Sequence, residues 1–261
     1  MARIIAVCSG KGGVGKSNLA VNLGIAFSLM GKKVTVFDAD LGLANVNILV
    51  NDIPKFNLLH MIRGEKTLEE IVQRTQYGIK IISGGSGFTE LVNLSEEQRG
   101  QLVRQLSALD NDDIFIIDTP AGASRNVITF LQAANDILLI TTPEPTAMAD
   151  AYALIKVVAG FVPQEHLTIR LIINRTSSYV QASKVADRLV NITRTFLSLN
   201  VSFLGPLYLD RGVEAAVLEK IPFVIRNPKS PAAVAVKSLA SILDGKPPIK
   251  QTGLNKLFGM V

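Results

Sequence analysis

An apolar run at Ile4–Val7 leads into GKGGVGKS at Gly10–Ser17. The spacing satisfies G-x-x-x-x-G-K-[S/T], the pattern of a loop that joins a strand to a helix and wraps phosphates in backbone N–H groups. This limits the fold more than any other feature, because the loop needs a strand end and a helix start held together. Gly10, Lys11, Gly12, Gly13, Val14, Gly15, Lys16, Ser17 and Asn18 are therefore the expected nucleotide-contacting residues. Lys16 is expected at the terminal phosphates and the Ser17 hydroxyl on Mg²⁺. Lys11 is a second lysine that one cradle does not need.

The rest of the chain agrees with such a fold. Strand-like runs recur at Ile4–Val7, Val34–Phe37, Ile79–Ile82, Ile114–Ile117, Ile137–Ile140, Leu167–Ile173 and Val201–Leu204. Several are apolar throughout, as strands covered on both faces are. Helix-like stretches fall at Ser17–Met30, Glu96–Leu109 (behind a Ser95 cap), Arg125–Ala134, Thr146–Ala159, Tyr179–Leu197, Gly212–Glu219 and Ser230–Leu243. The alternation predicts an α/β fold, a single P-loop NTPase domain with a mostly parallel twisted sheet and helices on both faces. That domain is expected over 1–243, a polar two-proline linker over 244–252, and a short amphipathic tail over 253–261.

Asp38 and Asp40 end the second strand, and Asp118 ends IFIID. In a parallel sheet these strand ends share an edge with the phosphate loop, where carboxylates can hold Mg²⁺ or orient an attacking water. Asn174, in LIINRT, ends a late strand where a base can sit. No NKxD follows it, so ATP is expected rather than GTP.

Composition excludes several classes. With 48% hydrophobic and 19% charged residues the chain is a folded body, not a disordered one. Its net charge of +5 is mild and carries no dominant cluster. One cysteine, Cys8, allows neither an intrachain disulfide nor a structural zinc site, and argues against an iron–sulfur carrier. It is expected as a buried thiol, and His60 and His166 at surface or loop positions. Neither a secretory leader nor an apolar run of roughly 18 residues is present, which points to the cytosol.

These motifs together resemble the MinD/ParA family of P-loop ATPases. The match rests on KGGVGKS at Lys11–Ser17, DADLGLANVN at Asp38–Asn47, DTPAG at Asp118–Gly122, NRT at Asn174–Thr176 and LGPLYLD at Leu204–Asp210. ISGGSG at Ile82–Gly87 and TTPEPTAMADAYALIK at Thr141–Lys156 resemble the flagellar-number regulators of the FlhG (FleN/YlxH) group. The resemblance implies a face-to-face dimer formed on ATP. Lys11 would reach the partner's phosphates, and Asp40 would position the hydrolytic water, making Lys11, Lys16 and Asp40 the catalytic set. Ser17, Asp38 and Asp118 would organise Mg²⁺. Asn174 would recognise adenine, with Pro206 and Asp210 on the neighbouring base-side loop. Asp150 and Lys156 are partner-surface candidates.

Two departures from the family pattern stand out. Asn47 replaces a frequent aspartate, and a local interface or surface effect is expected. The sequence given also starts at the first strand, without the glutamine-containing extension of many flagellar members. Stimulation of a partner GTPase through that element is therefore not expected.

In the tail, Leu254, Leu257, Phe258 and Val261 fall at i, i+3, i+4 and i+7, one apolar helical face. Lys250 and Lys256 can meet anionic headgroups. The resulting expectation is a cytoplasmic, reversibly membrane-associated ATPase switch for flagellar number and placement, slow and dimer-dependent. Its implied partners are a second copy, an anionic membrane surface, and a flagellar GTPase, basal-body or transcriptional regulator protein. The alternatives are a cell-division site selector of the MinD kind and a DNA-segregating ATPase of the ParA kind. The apolar tail weighs against DNA.

Overall fold

The computed structural model describes residues 2–40, 45–85, 112–161 and 168–246. Among these residues eight strands form one sheet: β1 (Arg3–Cys8), β2 (Val34–Asp38), β3 (Gln73–Arg74), β4 (Lys80–Ser83), β5 (Ile114–Asp118), β6 (Asp136–Thr141), β7 (Ile169–Thr176) and β8 (Val201–Tyr208). Their order is β3-β4-β2-β5-β1-β6-β7-β8, and every pairing but β3/β4 is parallel. β1 is thus central. The chain leaves it toward β2 on one side and later resumes at β6 on the other, so the crevice above β1 is a topological switch point.

Ten helices are present among the described residues: α1 (Lys16–Leu29), α2 (Asn45–Leu49), α3 (Leu58–Ile62), α4 (Leu68–Ile71), α5 (Arg125–Ala133), α6 (Pro145–Phe161), α7 (Tyr179–Leu197), α8 (Arg211–Glu219), α9 (Phe223–Arg226) and α10 (Pro231–Leu243). Successive residues of β1 point to opposite faces. Ile5 and Val7 pack with Leu23 and Phe27 of α1 and Leu239 of α10. Ala6 and Cys8 pack with Leu131 of α5, Leu154 of α6 and Leu189 of α7. Both faces are covered, which is why the strands read as continuous apolar runs. A third cluster joins Phe37, Ile82 and Ile117 to Leu58 and Met61 of α3 and Leu68 and Ile71 of α4.

The expected α/β architecture is observed, with three local differences. β7 begins at Ile169 and continues to Thr176, and β8 runs on past Leu204 to Tyr208, because register shifts let their pairing resume beyond Ile173. The sequence reading missed α2, α3, α4, α9 and β3, each of five residues or fewer. α3 and α4 are fixed by capping boxes, Asn57 with His60 and Thr67 with Glu70. His60 is therefore a half-buried helical residue, edge-on to Phe56 at 5.5 Å, and not a loop position.

At the sheet edge away from the phosphate loop, buried Asp136 pairs with Arg3 and Arg170. No helix among the described residues is long and apolar enough to cross a membrane. The helix expected at Glu96–Leu109, His166, Leu41–Ala44, and the tail residues Leu254, Leu257, Phe258 and Val261 lie outside the described residues.

Candidate functional site

The loop after β1 opens with Gly10, which lies against the backbone of α6. A Cβ there would sit 2.2 Å from the Asp150 carbonyl group, so close approach demands glycine. The loop ends at Gly15, whose φ of 101° is left-handed. Gly15 is the N-cap of α1 and offers no side-chain acceptor. By contrast α5, α7, α8 and α10 begin with Ser124, Ser178, Asp210 and Ser230, each accepting a first-turn N–H. α1 also has no acidic residue in its first turn. A bare, positive helix end beneath a glycine loop suits an anion.

Lys16 is buried, and its Nζ lies 3.1 Å from Asp118 Oδ1. The other carboxylate oxygen of Asp118, Oδ2, is buried with no hydrogen-bond partner among the described residues. Burial pushes the Asp118 carboxyl above its ordinary pKa, while the Lys16 charge and the Ser17 hydroxyl pull it back. Asp38 lies directly across from Asp118 in the β2/β5 register. Its oxygens accept the N–H groups of Asp40 (3.1 Å) and Val46 (3.2 Å). Burial, and then the neighbouring Asp118, push Asp38 up to about 7 against those two hydrogen bonds. Asp40 is half-buried beside them and adds to the repulsion on Asp118.

Ser17, Asp38 and Asp118 fit Mg²⁺. They are hard oxygen donors, one with an orphaned buried oxygen and one kept costly to ionise. Among the described residues no group of three or more His, Cys, Asp or Glu could hold a metal by themselves. A short donor set suits an ion that keeps its waters and shares phosphate oxygens.

Lys11 stands apart from this cluster. Its Nζ is 3.2 Å from both Glu144 Oε2 and the Thr146 hydroxyl, at the start of α6. TTPEPT stands out in the sequence, but nothing in it pairs its glutamate with Lys11. On the base side, Asn174 donates from Nδ2 to the Val14 carbonyl at 2.7 Å. Pro206 of β8 pairs with Ile173 next to it. Asp210 is engaged elsewhere, accepting the N–H of Gly212 at 2.8 Å and of Ala232 at 3.3 Å. It therefore caps α8 and steadies the start of α10.

Gly12, Gly13, Val14 and Asn18 lie in the loop and first turn as expected. Asn47, where a local interface or surface effect is expected, is a buried residue. It is 3% exposed on α2, and neither polar atom of its amide has a partner among the described residues. Cys8 is buried at the end of β1, and burial raises its thiol to about 12, so it is inert as expected. Asp150 is half-buried and Lys156 exposed, on α6.

The family described as ParA, NUBPL iron-transfer P-loop NTPase, matches residues 1–243. The antiactivator FleN of Pseudomonas aeruginosa is 35% identical over 248 residues, covering 94% of this chain and 87% of that protein. The flagellum site-determining protein YlxH of Helicobacter pylori is 35% identical over 226 residues, covering 84% and 76%. Among solved structures, the septum site-determining protein MinD complexed with Mg-ADP from Pyrococcus horikoshii has a TM-score of 0.73. It is 26% identical and covers 94% of this chain and 96% of that one.

Proposed function

The chain belongs to the MinD/ParA family of P-loop NTPases, and from that premise we propose that it is an ATP-driven dimerisation switch governing flagellar number and placement. Named relatives work in spatial regulation, as flagellum or septum site-determining proteins. The flagellar reading is supported by two flagellar relatives at 35% identity. The observation that carries the switch is the unequal pair of lysines. Lys16 is buried on Asp118, while Lys11 is held at the surface, free to change partners at small cost.

In this reading the backbone N–H groups of the loop and the first turn of α1 bind the phosphates. Lys16 leaves Asp118 for the terminal phosphates. Ser17, Asp38 and Asp118 would hold Mg²⁺, which would supply charge neutralisation on the phosphate oxygens. Asp40 accepts a hydrogen bond from the attacking water and orients it. Lys11 leaves Glu144 and reaches the phosphates of a second copy, where it offsets developing charge. Hydrolysis then depends on dimerisation, and the output is a state more than a product. The segment 253–261 carries the dimer to an anionic membrane surface, two copies giving avidity.

The test is sedimentation with anionic vesicles in ATP and in ADP. The panel is wild type, Asp40→Ala, Lys16→Ala and a chain ending at Thr252. ATP-dependent pelleting of wild type, stronger in Asp40→Ala and lost in the other two, is the expected result. Equal pelleting in every nucleotide state rejects the switch. Loss of the protein in its own cell should change flagellar number. A change in septum position instead favours the cell-division reading, which the likeness to MinD supports.

A further inference from the structure

Asn174 is the residue on which an adenine-reading role falls by resemblance, yet its amide is committed to the phosphate loop. Nδ2 donates to the Val14 carbonyl at 2.7 Å and Oδ1 accepts the Arg175 N–H at 2.8 Å. The orientation follows from the partners, since a carbonyl only accepts and an N–H only donates. The backbone is bent to allow it. Arg175 has φ +56° and the β7/β8 register shifts between Ile173 and Thr176. A non-glycine residue held in that region marks a constrained local structure.

The contact falls on the two residues just before Lys16. A Cβ on Gly15 would lie 2.5 Å from Asn174 Nδ2, so the glycine makes room for the amide as well as for its own turn. The Val14 carbonyl and the Gly15 N–H belong to one planar peptide and point in opposite directions. Holding the carbonyl on β7 therefore aims the Gly15 N–H away from β7. Gly15 also closes the first hydrogen bond of α1, from the Leu19 N–H at 2.9 Å, so the fixed peptide is continuous with the helix. Asn174 Nδ2 keeps its second hydrogen for another acceptor, so a base contact is compatible with the strut.

We propose that Asn174 is a positioning residue for the phosphate loop, needed for tight binding of phosphates even when no base is attached. The inference rests on the nucleotide-binding reading of the loop. The experiment compares Mg·ATP with Mg·pyrophosphate, which has no base, by calorimetry on wild type, Asn174→Ala and Asn174→Asp. The aspartate keeps the size and the acceptor for Arg175 but cannot donate to Val14. Both variants should bind pyrophosphate roughly 3- to 10-fold more weakly, the worth of one hydrogen bond, and ATP at least as much more weakly. Pyrophosphate binding equal to wild type with only ATP weakened overturns the proposal and leaves a base reader. Wild type binding neither ligand overturns the nucleotide reading itself. Amide hydrogen exchange at Val14–Ser17 in ligand-free protein gives a second readout, separate from overall folding. Faster exchange in Asn174→Asp, with other strand amides unchanged, is expected, and unchanged exchange across the loop overturns the proposal.

Discussion

The phosphate loop carries two lysines in opposite surroundings. Lys16 is buried against an aspartate that is wholly buried, while the Lys11 side chain is 41% exposed against a glutamate that is 57% exposed. The same charge is committed in one place and exchangeable in the other. A buried pair is costly to break from one side, because the surviving charge is left without compensation. An exposed pair exchanges partners for about 1 kcal/mol or less. Within six residues of chain, Lys11 to Lys16, the loop thus holds one lysine in a buried pair and one in an exposed pair.

The comparison is broken most severely at its buried end. Lys16→Ala leaves Asp118 unpaired and should destabilise the nucleotide-free protein by about 3–5 kcal/mol in urea unfolding. It should also lower ATP turnover by about 10²–10³-fold, the range for loss of one charge-stabilising group. Retained stability would mean that Asp118 is already neutral. Asp38→Asn tests the same cluster with the opposite sign. Asp38 rises from an ordinary 3.8 to about 7 on folding. Between those values the folded protein holds a proton that the unfolded chain has lost, so stability is full below 3.8 and falls as pH rises through 7. The accumulated penalty is on the order of 4 kcal/mol. Unfolding midpoints of the metal-free protein measured from pH 4 to pH 8 should drop for wild type and drop less for Asp38→Asn. Parallel curves would remove Asp38 as the cause.

Much of this arrangement is legible in the sequence, for physical reasons. A parallel sheet covered on both faces writes its strands as apolar runs, so β1, β2, β5 and β6 are found to within two residues. The phosphate loop is legible because its glycines serve backbone geometry, as the Gly10 contact with α6 shows. The Thr67–Glu70 capping box was readable, but α4 has four residues and too little periodicity to be counted. β3, two residues on an antiparallel edge, leaves no alternation to detect. The Glu144 partner of Lys11 stands 133 positions away in sequence, and spacing carries no information about it. The same holds for Asn174 and Val14, and for the double cap made by Asp210. Asn47 was expected to have a local interface or surface effect, and its burial carries no signal in the sequence. It is buried because α2 packs against α1 and β4, a placement that depends on tertiary structure alone.

At the exposed end, Lys11→Ala should leave folding stability within about 1 kcal/mol of wild type, since only a surface pair is lost. If Lys11 serves the transferring phosphate, ATP turnover should nevertheless fall by about 100-fold, because the charge it supplies there disappears. Equal turnover in Lys11→Ala would make the second lysine a surface residue and erase the contrast with Lys16.

Glu144→Gln sharpens the comparison with the smallest expected effect. Glu144 and Thr146 hold the Lys11 ammonium within its own chain, each at 3.2 Å. If Lys11 serves the phosphates of a second copy, that contact competes with dimerisation and must break first. Removing the glutamate charge weakens the competitor without touching the phosphate loop, and the pair is worth a few tenths of a kcal/mol to about 1. ATP-dependent dimer affinity in sedimentation velocity should therefore rise by about 2- to 5-fold. Salt supplies an independent arm. Raising ionic strength screens the exposed Lys11–Glu144 pair, so the gap between wild type and Glu144→Gln should close in high salt. A weaker dimer in Glu144→Gln would reverse the assignment, because it would mean that the glutamate aims Lys11 at the interface and is part of the closed state.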